Sequence, residues 1–117
     1  MVVEECISKP VIDEGELQGL RASLGSGLRD LILDCLSDVE AACARLAKAA
    51  HESDGHGVKR AAHTLTGVFG QFACPRAACI ARAVAGAPEA DALEAAAILL
   101  ESARTSADEL SARATSD

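Results

Sequence analysis

Apolar residues return at intervals of three and four along most of this chain, the signature of helices with one buried face. The clearest run is Leu28, Leu31/Ile32, Cys35, Val39, Ala42/Cys43, Leu46 and Ala49/Ala50, which predicts a helix over 28–52. Its other face carries Arg29, Asp30, Asp34, Asp38, Arg45 and Lys48. Upstream, Leu17, Leu20 and Leu24 follow Asp13, with Glu16 three residues after it, so a capped helix is expected over 13–24. "GSG" at 25–27 separates the two. Val58, Ala62, Leu65, Phe69 and Phe72 predict a third helix over 55–73, with Asp54 as its N-cap. Pro75 suits the first turn of a fourth helix running to about 85, because proline lacks only a donor unused there. "AGAP" (85–88) makes the next turn, and Leu93, Ala96/Ala97, Leu100, Ala103, Ala107 and Leu110 mark a last helix over 89–114. Connections this short imply antiparallel neighbours.

Composition sharpens the picture. Half of the 117 residues are apolar, there is no Trp or Tyr, and Phe69 and Phe72 are the only aromatics. Alanine and leucine dominate, the residues of helices rather than strands. An all-helical single domain over 1–117 is therefore expected, with its ordered core at about 13–114 and no internal repeat.

Charge and cysteines narrow the function classes. A net charge of −7 argues against a nucleic-acid binder, which needs cations to neutralise phosphates. No apolar run approaches the roughly 20 residues of a membrane span. The start, "MVVEECISKP", lacks the basic residues and apolar run of a secretory signal, so a cytoplasmic location is expected. Cys6, Cys35, Cys43, Cys74 and Cys79 are odd in number and form no CxxC. They are read as reduced thiols in small apolar positions of the core.

Candidate chemistry centres on "AAHTLTGVFGQF" (61–72). Glycine inside a helix costs roughly 1 kcal/mol relative to alanine, yet Gly67 and Gly70 follow His63 in its own helix. His63 is one position past Ala62, rotated about 100° from that core residue. Its stripe is Lys59, His63, Thr66/Gly67 and Gly70, with a cation one turn before the imidazole and almost no bulk after it. The glycines strip the surface so that another body can come close. Between Asp54 and Glu89 the only charges are Lys59, Arg60, Arg76 and Arg82, so this window carries +4 and the remainder −11. A local positive field beside an accessible imidazole suits a group that receives an anion.

Neutral imidazole is a nucleophile near neutral pH and forms covalent intermediates. No nucleophile–base pair for hydrolysis is visible, and the glycines form neither GxGxxG nor GxxxxGK[ST]. His63 therefore reads as the substrate of another protein's chemistry, and the chain as a carrier without turnover of its own. His51 and His56 are the rivals. They span a turn as H-x4-H without a carboxylate pair, a poor metal set. His51 near a helix end suits the helix dipole, and His56 a solvated turn.

The stretch resembles the signature of histidine-containing phosphotransfer (HPt) domains, His-x-Leu-Lys-Gly. The likeness extends back through "LRDLILDCLSDVEAACARLAKAAHESD" and "VKRAAHTL", and forward through the last helix. It implies an antiparallel four-helix bundle with an additional N-terminal helix. It also implies that His63 accepts a phosphoryl group from an aspartyl phosphate on a receiver domain and passes it to another receiver. The implied partners are response-regulator receivers and a hybrid histidine kinase. No metal or cofactor would belong to this chain, since Mg²⁺ sits on the receiver. Thr66, Gly67 and Gly70 would form the docking flank. The family's lysine three residues after the histidine is Thr66 here, so Lys59, Arg60 or Arg82 would supply the cation. Pivoting the hairpin near Cys74 puts Ala85 and Gly86 level with His63, with Arg82 about one turn away. A glycine often found ten residues after the histidine is Ala73, read as a mild change. The alternative is a non-phosphorylated HPt-like module that occupies a receiver or kinase surface.

Overall fold

The computed structural model describes residues 3–115, and every element among them is a helix. In chain order these are α1 (Val3–Ile7), α2 (Glu14–Leu24), α3 (Gly27–His51), α4 (Gly55–Phe69), α5 (Pro75–Gly86) and α6 (Glu89–Thr115). None is long and apolar enough to cross a membrane among the described residues.

Local chemistry sets the boundaries. The Asp13 carboxylate accepts from the Glu16 N–H and the Asp54 carboxylate from the Gly57 N–H, closing the first turns of α2 and α4. Each such cap contributes about 1 kcal/mol. α2 stops at Gly25, whose φ of 56° lies in the left-handed region glycine tolerates. Pro75 opens α5 at a position where its missing N–H costs nothing.

α3 packs against α4 and α6, and α5 against the same two. The core between them is built from Leu28, Ile32, Leu46, Leu65, Phe69, Ile80, Val84, Leu99 and Leu110, all essentially inaccessible. Ala42, Ala62, Ala77, Ala81, Ala92 and Ala103 fill the rest. Such small side chains let helix axes approach closely. At Gly55 the backbone comes close to α6, since a Cβ there would lie 2.7 Å from the Cβ of Glu89 at its start.

Several expectations need correction. The third helix ends at Phe69, not 73. Phe72 is buried from a turn, where it continues the spacing of three that had suggested more helix. Ala73 in that turn has φ of 58°, so the position favours glycine and its occupation by alanine is not mild. On α6 the buried line is Ala92, Ala95, Ala96, Leu99, Ala103, Ser106 and Leu110. It is turned from the expected stripe because alanines surround the helix and leave leucine to set the phase, with Leu93 and Leu100 half-buried. Leu31 is exposed.

A further correction concerns the N-terminus. The ordered structure starts before residue 13: α1 lies on α5, and Cys6 is bonded to Cys79 with a Cα–Cα distance of 5.4 Å. Two of the five thiols are thus paired, while Cys35, Cys43 and Cys74 are reduced and buried. The strap that follows α1 is held by backbone bonds. The Arg76 N–H donates to the Pro10 carbonyl (3.3 Å) and the Asp13 N–H to the Ala73 carbonyl (2.8 Å). At the other end of the strap, α2 joins α6 through the Glu14 carboxylate, which accepts from the Arg113 guanidinium.

Candidate functional site

His63 sits in the middle of α4 and is exposed. The buried residues of that helix are Gly55, Val58, Ala61, Ala62, Leu65 and Phe69. At about 100° per residue His63 is turned well over 120° from their mean direction. The imidazole therefore stands on the outer side of the helix, away from the core. Gly67 lies one turn further on the same line and is also exposed.

The two glycines differ in kind. A Cβ added at Gly67 would meet nothing within 4 Å, so no intramolecular contact requires glycine there. A Cβ at Gly70 would fall 2.9 Å from the Thr66 carbonyl oxygen, because Gly70 is the residue on which α4 closes. Gly70 thus has a local reason to be glycine; Gly67 has none within the fold.

The supporting residues are dispersed around His63. The Thr66 hydroxyl donates to the Ala62 carbonyl (3.0 Å), so it is turned back onto its own helix. Lys59 is half-buried one turn before His63, and Arg60 is exposed. Arg60 does not share the histidine's line: it borders a cleft against α3 with Arg45, Lys48 and Thr64. Arg76 is drawn away altogether, its Nε donating to the Lys9 carbonyl in the strap (2.8 Å). Because α4 ends at Phe69 and α5 starts at Pro75, equal rise along the two helices sets Ala81 opposite His63. Exposed Arg82 is therefore level with the imidazole, and Ala85 a turn beyond it, the reverse of the order expected from a pivot at Cys74.

No hydrogen bond to the His63 ring occurs among the described residues. His51 and His56 are exposed on either side of the α3–α4 turn. No group of three His, Cys, Asp or Glu side chains among the described residues could hold a metal.

A second hollow adjoins Gly67 on the α3 side, lined by Leu31, Asp34, Asp38, Thr64, Gly67 and Gln71 among others. Sequence spacing had assigned Leu31 to the core, and this hollow is where it goes. Cys35 also lines it. Burial, reinforced by the Asp38 charge, pushes that thiol up to about 11, so it is a neutral packing group and not a nucleophile.

Comparison with protein-family models, with curated proteins and with solved structures returns no match.

Proposed function

We propose that this chain is a phosphorelay intermediate of the HPt kind, with His63 as phosphoacceptor. In this reading α3 to α6 are its antiparallel four-helix bundle and α1 and α2 its N-terminal addition. The observation that carries it is the pair His63 and Gly67: an outward imidazole, and one turn on a glycine that nothing inside the fold requires. Helix stability is given up where only a visitor benefits.

The chemistry follows from the side chain. A receiver brings its aspartyl phosphate, with its own Mg²⁺, onto the bare surface at Gly67. The unprotonated ring nitrogen of His63 attacks phosphorus in line, forming an N–P bond as the P–O bond to the aspartate breaks. The carboxylate leaves on the receiver, and the second ring nitrogen keeps its proton. Lys59 and Arg82 flank the incoming phosphoryl group as cations, in place of the lysine that Thr66 replaces. Positioning and charge neutralisation account for most catalysis in phosphoryl transfer, and the receiver supplies the metal. The chain is a carrier, and the next receiver takes the group by the reverse step.

A cytoplasmic location accompanies this reading. Thiols are kept reduced there, so the strap would rest on its hydrogen bonds and packing whenever the Cys6–Cys79 bond is open.

One observation favours a second reading. The His63 ring has no intramolecular hydrogen bond to fix its tautomer, as a pure docking module would tolerate. Intact mass after exposure to phosphoramidate separates the two. An acid-labile phosphoryl adduct on wild-type but not on His63→Gln protein is expected. If neither phosphoramidate nor a panel of phosphorylated receivers labels the wild type, phosphotransfer is wrong and the docking module remains.

A further inference from the structure

Charge is sorted along the face that α3 and α4 share. Asp30, Asp34 and Asp38 recur every four residues on α3, all exposed. Like charges at that spacing repel and weaken a helix. Arg45 and Lys48 continue the same face toward the other end. α4 runs alongside, bringing Arg60 to the cationic end and Gly67 to the acidic one. Thr64, next to His63, lines both clefts. His63 itself lines neither cleft; it stands one residue before Thr64, where the positive half meets the negative half.

Neither half is neutralised from within. Asp34, Asp38, Arg45, Lys48 and Arg60 form no ion pair among the described residues. Glu52 and Asp54 also border the cationic cleft, so its three cations outnumber two carboxylates, one of which caps α4. The negative half holds a hollow of about 320 Å³ with Leu31 exposed at its rim.

We propose that this face takes a receiver in one orientation only, an inference that rests on the phosphotransfer reading. With the aspartyl phosphate over His63, the acidic rim of the receiver's phosphoacceptor pocket extends toward Arg45, Lys48 and Arg60. An apolar side chain of the receiver, flanked by lysine or arginine, enters the hollow beside Leu31 and Gly67 against Asp34 and Asp38. Complementary halves of this sort raise encounter rates and penalise the reversed pose. The charge order on α3 and α4 selects which receivers pair with this chain, while His63 supplies only the chemistry.

The test uses two charge reversals away from the reacting atoms, Asp34→Lys/Asp38→Lys and Arg45→Glu/Lys48→Glu. Phosphoramidate, which needs no docking, is expected to label His63 in both as in wild type. Transfer from a phosphorylated receiver that serves wild type is expected to fall at least tenfold in each, and wild-type transfer to slow as salt rises. Reversing the basic residues beside the apolar patch of that receiver is expected to rescue the Asp34→Lys/Asp38→Lys protein and not the other. Labelling with unchanged receiver transfer in both variants would overturn the orientation and leave phosphotransfer standing. No transfer to wild type from any receiver, with no labelling, would remove both. A wild-type dimer by sedimentation that either reversal dissolves would assign the face to a second copy instead.

Discussion

At Gly67 two requirements separate that usually coincide. The fold leaves open space where a side chain would go, and a helix prefers alanine. Gly67→Ala is expected to raise stability in a urea melt by up to about 1 kcal/mol. Gly67→Leu is expected to slow receiver transfer while phosphoramidate still reaches His63. His63→Ala should melt within about 0.5 kcal/mol of wild type, since the residue is exposed. The buried thiols behave oppositely to such surface sites. Burial pushes Cys35 up to about 11 and Cys74 up to about 12, against 9.0 for an ordinary thiol. A group whose folded pKa is raised stabilises fully below its unfolded pKa and loses that contribution as pH climbs toward the folded value. Stability is therefore expected to decline between about pH 9 and 12, and Cys74→Ala to flatten the decline in a series of thermal melts.

Helices differ in how plainly the chain announces them. α3 was legible because leucine, isoleucine and valine recur on one side and charges on the other. The end of α4 was not, since Phe72 keeps the helical spacing while the backbone has already turned. α1 was invisible for a different reason: five residues are too few to show a period, and its place is set by packing on α5. Missing α1 also hid the disulfide, because only that helix carries Cys6 to Cys79. The outward direction of His63 was readable from spacing alone, whereas the level of Arg82 depended on where α4 stopped. The connections carry their own strain. Ser53 ends the α3 connection with φ of 54° and an exposed side chain. Ser53→Gly is expected to stabilise by about 1 kcal/mol. Ala73→Gly is expected to gain less, because its methyl group is buried.

Taken whole, the molecule divides its labour between two sides. The strap and its bond lie on α5, and the sorted charges and His63 lie on α3 and α4. Opening the Cys6–Cys79 bond, which spans 73 residues, is expected to lower stability by about 4 kcal/mol in the chain-entropy account. The readout is a shift of the urea midpoint on adding a thiol reductant, with phosphoramidate labelling of His63 unchanged. Alkylation in denaturant should mark three cysteines without reductant and five with it. The same bond gives the oxidised chain the topology of a ring. α2, α3 and α4 are inside the loop it closes, while the second half of α5 and all of α6 hang outside, with α6 joined through the peptide at Ala87–Pro88. A protease cut at any connection from Gly25 to Cys74 would leave one covalent piece, whose fragments part only on a reducing gel. A cut between α5 and α6 would instead release a single stave, and the ring left behind would have lost the helix that closes its core.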